Sequence, residues 1–142
     1  MVYCIVEGVT DSVIMSAILN EQNHLGVKII FSGGFPTMPA VARTIMSSME
    51  KGDKAMIVCD RDNFQAGRYG RDMLGFLLRG AVNNPAFALF AFSPNIDKLV
   101  ADPGENKSWK KDPEELSRRI EGRMERILQD ETVMKIIEFA KK

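Results

Sequence analysis

The stretch Ala55-Met56-Ile57-Val58-Cys59-Asp60-Arg61-Asp62 decides how this chain is read. Five apolar residues in a row, entered from the turn signal Gly52-Asp53, suit a strand covered on both faces. The run ends on two aspartates two positions apart, which an extended backbone would turn the same way. Upstream, Val2-Tyr3-Cys4-Ile5-Val6 is a second short apolar run, and it too ends on a carboxylate, Glu7, followed by Gly8. In open parallel sheets, ligands bind beyond the carboxyl ends of the strands, where the strand order reverses. If these two strands are neighbours, as in the order 2-1-3-4, Glu7, Asp60 and Asp62 converge on one spot.

The segments around them supply the other elements. Thr10 or Asp11 is placed to cap a helix with Val13, Ile14, Ala17 and Ile18 on one stripe. Val27 to Phe31 reads as a strand, Ser32-Gly33-Gly34 as a turn, and Pro36-Thr37 as the start of a helix burying Val41, Ala42, Ile45 and Met49. After the aspartates comes a helix with Tyr69, Met73, Phe76 and Leu77 on a shared stripe, closing near Gly80. Asn83-Asn84-Pro85 then turns the chain into a fourth buried strand, Phe87 to Phe92. This alternation predicts an α/β core over residues 1–101: four mainly parallel strands with helices on both faces.

Residues 102–142 form an extension on the same domain. Asp102 to Lys111 is polar and reads as an exposed loop. Asp112-Pro113-Glu114-Glu115 is a strong helix start, with an acidic cap and proline at the first position. Leu116, Ile120, Met124, Ile127 and Leu128 give that helix one apolar face, and a last helix follows over roughly 132–140. The two helices either cover the sheet or pair with a second copy; the pattern leaves both open.

Composition narrows the class. The 142 residues suit one compact domain, and 45% hydrophobic with 27% charged is an ordinary globular balance. Nineteen basic residues against 19 acidic argue against a uniformly basic nucleic-acid coater, while leaving room for a local basic groove. No apolar run approaches the ~20 residues of a membrane span, and Glu7 and Asp11 fall where a signal peptide needs apolar residues. A cytoplasmic protein without a membrane partner is expected. Cys4 and Cys59 sit inside apolar runs, with neither zinc nor redox spacing, and read as small core hydrophobes.

Three clustered carboxylates repel one another unless a cation lies among them. Magnesium suits them, because it takes oxygen ligands and binds through one or two carboxylates plus substrate phosphate; manganese is an alternative. A remaining carboxylate, Glu7, then becomes a candidate general acid or base. An Asp-x-Asp alone is weakly specific, since aspartates also cap helices. Its pairing with a strand-end glutamate on another strand of the same sheet is what points to a metal site.

These motifs resemble the Toprim family, shared by type IA and type II topoisomerases, bacterial primases, OLD-type nucleases and small ribosomal-RNA maturation nucleases. Val6-Glu7-Gly8-Val9-Thr10-Asp11 is similar to its first motif, and Ile57-Val58-Cys59-Asp60-Arg61-Asp62 to its Asp-x-Asp motif. Gly33-Gly34 corresponds to the glycine turn after strand two. Ala66-Gly67-Arg68 with Arg71 is similar to the arginine pattern of primases, with two residues inserted, and Pro94-Asn95-Ile96-Asp97 to the third acidic position of OLD-type members. The resemblance spans about residues 2–101. It implies magnesium on Asp60 and Asp62, Glu7 as general acid or base, and Asp97, where the family often has glutamate, as an outer ligand. DNA or RNA is then the substrate. Within these residues there is no ATPase, no primase polymerase core and no separate domain bearing a topoisomerase tyrosine; Tyr3 and Tyr69 read as core. Hydrolysis by water, or work with a separate protein subunit, is expected rather than strand passage.

Several side chains carry two readings. Arg61, Arg68, Arg71 and Lys98 are candidates to hold the phosphate backbone, or are ordinary surface cations. Lys107, Lys110 and Lys111 extend a basic groove or belong to a solvated loop. Trp109 stacks on a base or folds back onto the body. His24 reads as surface, and Arg118, Arg119, Arg123 and Arg126, interleaved with glutamates, as a salt-bridged helix exterior. Against the metal-dependent nuclease stand a non-catalytic Toprim module that binds nucleic acid or a partner, and a HAD-like phosphatase with Asp60 as nucleophile and Asp62 as acid. The last wants its Asp-x-Asp on the first strand and leaves Glu7 without a role.

Overall fold

Four strands follow the four buried runs: β1 (Val2–Val6), β2 (Val27–Phe31), β3 (Lys54–Asp60) and β4 (Phe87–Phe92). The computed structural model describes residues 1–21, 26–65 and 67–141, without the side chains of Glu21, Gln65, Arg68, Tyr69, Leu74, Ala81 and Val82. His24, Ala66 and the side chains of Arg68 and Tyr69 therefore lie outside the described residues. The strands form one all-parallel sheet in the order β2-β1-β3-β4. The chain steps outward from β1 to β2 and then crosses back over β1 to β3, so the switch point lies between β1 and β3.

Strand alternation sorts the core into two layers. Cys4, Val6, Met56, Val58 and Phe92 face one side, where they meet Ile14, Met15, Ile18 and Leu19 of α1 (Val9–Glu21). Ile5, Ala55, Ile57, Cys59 and Phe87 face the other, against Met38 and Ala42 of α2 (Met38–Ser48) and Leu77 of α3 (Gly67–Asn83). The stripe on α1 is rotated from the expected one: Met15 and Leu19 are buried while Val13 is exposed. Val41 and Ile45 of α2, and Met49 just beyond its end, pack only partly, and Phe76 of α3 is exposed. The α3 helix also runs past Gly80, which is tolerated inside a helix when packing supports it.

The helices α4 (Pro113–Ile127) and α5 (Glu131–Lys141) complete the first layer. Leu116, Ile120, Ile127, Val133 and Ile136 are buried in the same cluster as α1 and the sheet. Each such burial contributes roughly 1.5–3 kcal/mol, so these helices are part of the core. Lys54 Nζ donates to the Phe139 carbonyl at 2.9 Å, and Phe139 packs edge-on against Phe90 of β4, which fastens α5 across that end of the sheet. Asp112 caps α4 through bonds from the Glu114 and Glu115 amides, as the motif predicts. Of α5's large apolar residues only Met134 stays well exposed. Among the described residues no helix is long and apolar enough to cross a membrane.

The polar segment 102–111 is less exposed than its composition suggests. Its 3-10 turn, Ser108–Lys111, drives Trp109 into the core, where it is 3% exposed. Base stacking by Trp109 is thereby ruled out in this conformation: the gain from burying a large ring outweighs keeping it in water. Arg119 closes the segment from above. Its guanidinium donates to Glu105, to Glu115 and to the Val100 carbonyl, and lies 5.5 Å from the Trp109 ring centroid. Arg119 is thus a largely buried clamp, unlike Arg118 and Arg123, whose pairs to Glu115 and Asp102 lie on the exterior.

Candidate metal and phosphodiester site

Strand geometry delivers the acidic residues to one rim. Asp60 is the last residue of β3 and follows Met56 and Val58 onto the α1 side of the sheet. Glu7 leaves the end of β1, the strand paired to β3. Gly8 precedes α1, and Asp11 in the first turn reaches back so that its Oδ2 accepts from the Gly8 amide at 3.3 Å. That is the returning arm of a capping box, so Thr10 and Asp11 lie inside the helix rather than at its cap. Asp97 enters from the 3-10 turn Ile96–Leu99 after β4 and is buried.

Asp62 arrives by a different route from the one its spacing suggested. It stands in the 3-10 turn Arg61–Gln65, so the extended two-residue alternation does not apply to it. The turn is held because the Asp62 amide donates to the Pro94 carbonyl at 3.1 Å and Asn95 Nδ2 donates to Asp62 Oδ2 at 3.1 Å. Asn63 Nδ2 donates to Glu7 Oε2 at 3.0 Å, and the Ile96 amide to Asp60 Oδ1 at 2.8 Å. Loops after β3 and β4 therefore lock the carboxylates from outside.

The electrostatics follow from this crowding. Burial first, then the Glu7 and Asp97 carboxylates, push Asp60 up to about 6, against the opposing pull of the Ile96 amide and Lys110. Burial, then Asp60 and Glu7, push Asp11 up to about 6 as well. The helix-start position of Asp11 helps to hold a negative charge there. Asp97 has a different fate: its Oδ2 receives Lys110 Nζ at 2.7 Å and Lys107 Nζ at 3.0 Å. The Lys107 hydrogen bond to Asp97, then the field of Asp97 and more weakly of Asp60 and Asp62, raises that ammonium above its ordinary value. No arginine pairs with Glu7, Asp11, Asp60 or Asp62 among the described residues.

Comparison with family models, with curated proteins and with solved structures returns no match for this chain.

The remaining candidates spread around this rim. Arg61, in the turn beside Asp62, and Arg71, on α3, are exposed and form no ion pair among the described residues. Lys98 instead reaches across to Asp130 at 3.4 Å and lies over the Phe92 ring. Sequence reasoning missed the roles of five residues. Asp11 reads from sequence as a cap candidate; in the structure it is the third residue of α1 and enters the field of Asp60 and Glu7. Asn63 and Asn95 flank the motifs without any patterned signal. Lys107 and Lys110, candidates for a basic groove or a solvated loop, instead meet Asp97 because Trp109 between them is buried.

The donor set is all oxygen, and apart from Asp97 its carboxylates have no ion pair among the described residues, a chemistry that suits a hard divalent ion. Among the described residues no group of three or more His, Cys, Asp or Glu side chains is placed to hold a metal ion as the side chains stand.

Proposed function

We propose that this chain is a small Toprim-type protein that carries out magnesium-dependent phosphodiester hydrolysis on nucleic acid, as an endonuclease in the cytoplasm. The observation that carries this reading is the meeting of Glu7, Asp11 and Asp60 at the β1–β3 switch point, where two of the three carboxyls are pushed up to about 6. Clustered anions raised in this way are the signature of a site that gains from a cation. Asp60 and Asp62 would hold the ion, with Asp97 behind them. When bound, magnesium or manganese polarises a phosphoryl oxygen and makes water more acidic.

The chain's own residues supply the rest. Glu7, its Oε2 held by Asn63, keeps Oε1 to accept or return a proton. Arg61 and Arg71, with Arg68 and Lys98 as further members of the set, offer cations to the phosphate backbone on either side of the scissile bond. The test is a cleavage assay on single- and double-stranded DNA and RNA with magnesium or manganese. The variant Glu7→Ala/Asp60→Ala/Asp62→Ala is run beside the unmodified chain. Metal-dependent cleavage by the unmodified chain alone supports the proposal; cleavage that survives the triple substitution ends it.

A second reading is a non-catalytic module that binds nucleic acid or a partner subunit. It is favoured by Asp97, whose charge two lysines already satisfy, and by the asparagine bonds that occupy one oxygen each of Glu7 and Asp62. Retention of nucleic acid without turnover in the same assay, unaffected by the triple substitution, would select it.

A further inference from the structure

On the opposite face of the sheet, residues of α2, α3 and β4 line an open apolar groove of about 500 Å³. We propose that this groove docks an acidic, amphipathic helix of a partner protein. Its floor is Ala42, Leu77 and Phe87, and its wall is Phe76, which is 38% exposed although it lies on the apolar side of α3. A smaller adjoining cavity of about 390 Å³ shares Arg43, Phe76 and Arg79 with it and carries the depression on to Asp72. From Asp72 to Asn83 the depression follows α3 for about 16 Å, some three helical turns. That length suits a helix laid in a groove better than a compact small molecule.

Charge selects the sign of the occupant. Arg43 and Arg79 stand on the lip, exposed and without an ion pair among the described residues, and Arg43 lies 5.0 Å over the Phe76 ring. Asp72, the one carboxylate among the lining residues, already has an interaction of its own. Apolar anchors at i, i+3 or i+4, and i+7 would fill the floor, while Asp or Glu beside them would meet the two guanidiniums. The groove lies across the sheet from Asp60, so this inference is independent of the chemistry at the acidic rim.

The test uses the full chain and two fluorescein-labelled amphipathic peptides of about 16 residues, Leu/Ala on one face and either Glu or Lys on the other. Anisotropy at low salt is expected to show the Glu peptide binding at least ~10-fold more tightly than the Lys peptide. The variant Arg43→Glu/Arg79→Glu is expected to invert that preference with an unchanged circular-dichroism spectrum. Should it fail to fold, Phe76→Ser, at an already exposed position, is expected to weaken the Glu peptide alone. Hydrogen exchange should slow in α2 and α3 when the peptide is bound. Equal binding of both peptides, no response to charge reversal, or protection confined to α4 and α5 would overturn the proposal. So would a concentration-dependent dimer that the double variant dissolves, because the groove's occupant would then be a second copy.

Discussion

Asp60 and Asp97 are two carboxylates on one rim that the fold treats in opposite ways. Both come from the ends of adjacent strands, and each contributes to the field at Asp60's neighbours. Asp97 is closed off by the ammoniums of Lys107 and Lys110, delivered by a segment anchored through Trp109 and Arg119. Asp60 has a backbone amide and, among the described residues, no cation in direct contact; it feels Glu7 and Asp97, and Lys110 only through space. The chain neutralises one acid from its own sequence and leaves the others with unbalanced charge. An unbalanced anionic cluster is costly to maintain and would gain from a cation, as the proposed function requires, whereas the balanced acid reads as scaffold.

Activity is where the contrast should be widest. Asp60→Ala is expected to lower metal-dependent cleavage by about 1,000-fold, roughly 4 kcal/mol of transition-state stabilisation. Asp97→Ala should cost less than about 10-fold in the same initial-rate assay. Equal losses would break the contrast and make Asp97 a working ligand.

Stability should show the reverse emphasis. Trp109→Ala removes the anchor that brings both lysines to Asp97 and is expected to cost about 3 kcal/mol in urea unfolding. Arg119 would be left without its ring contact, and Glu105, which Arg119 holds down at about 2, should titrate closer to an ordinary glutamate. An unchanged unfolding midpoint would show that the 102–111 segment contributes no packing energy.

The acidic cluster also makes a pH prediction of definite sign. Asp11 and Asp60 move from an ordinary 3.8 up to about 6 on folding. Between those values the folded chain binds more protons than the unfolded chain, so stability falls as pH rises from about 4 to 6 and is level above. Asp60 remains partly open to solvent, which screens the effect to about 1 kcal/mol. Asp60→Asn should therefore raise Tm at pH 7.5 without metal and flatten its pH dependence. Magnesium should raise the Tm of the unmodified chain more at pH 7.5 than at pH 5, where protons compete with the ion.

The smallest effect belongs to the exposed arginines. Arg61→Ala and Arg71→Ala should each weaken nucleic-acid binding only a few-fold and reduce the salt slope by about 1. A loss confined to one sequence would instead show a base contact.

Much of the fold was legible because buried strands of a parallel sheet are short, uninterrupted apolar runs. Val2–Val6, Val27–Phe31 and Phe87–Phe92 match the strands residue for residue. Helix faces were less legible. On α1 nearly every candidate position is apolar, so composition could not say that Val13 faces out and Met15 in. Trp109 and Arg119 were obscured for a related reason. A lone aromatic in a polar segment, and one arginine among four, carry no periodic signal; their burial depends on a loop closing over α4.

Local chemistry in the sequence was enough to determine the four strands, the helices between them, and the presence of Glu7 and Asp60 at strand ends, because backbone propensity and burial act over neighbouring residues. Which acids stand together was decided only by tertiary structure. The crossover from β2 to β3 makes β1 and β3 neighbours, the first turn of α1 brings Asp11 to them, and the buried indole of Trp109 carries two lysines to Asp97 and none into direct contact with Asp60. Charges act through space, and only the folded chain sets those distances.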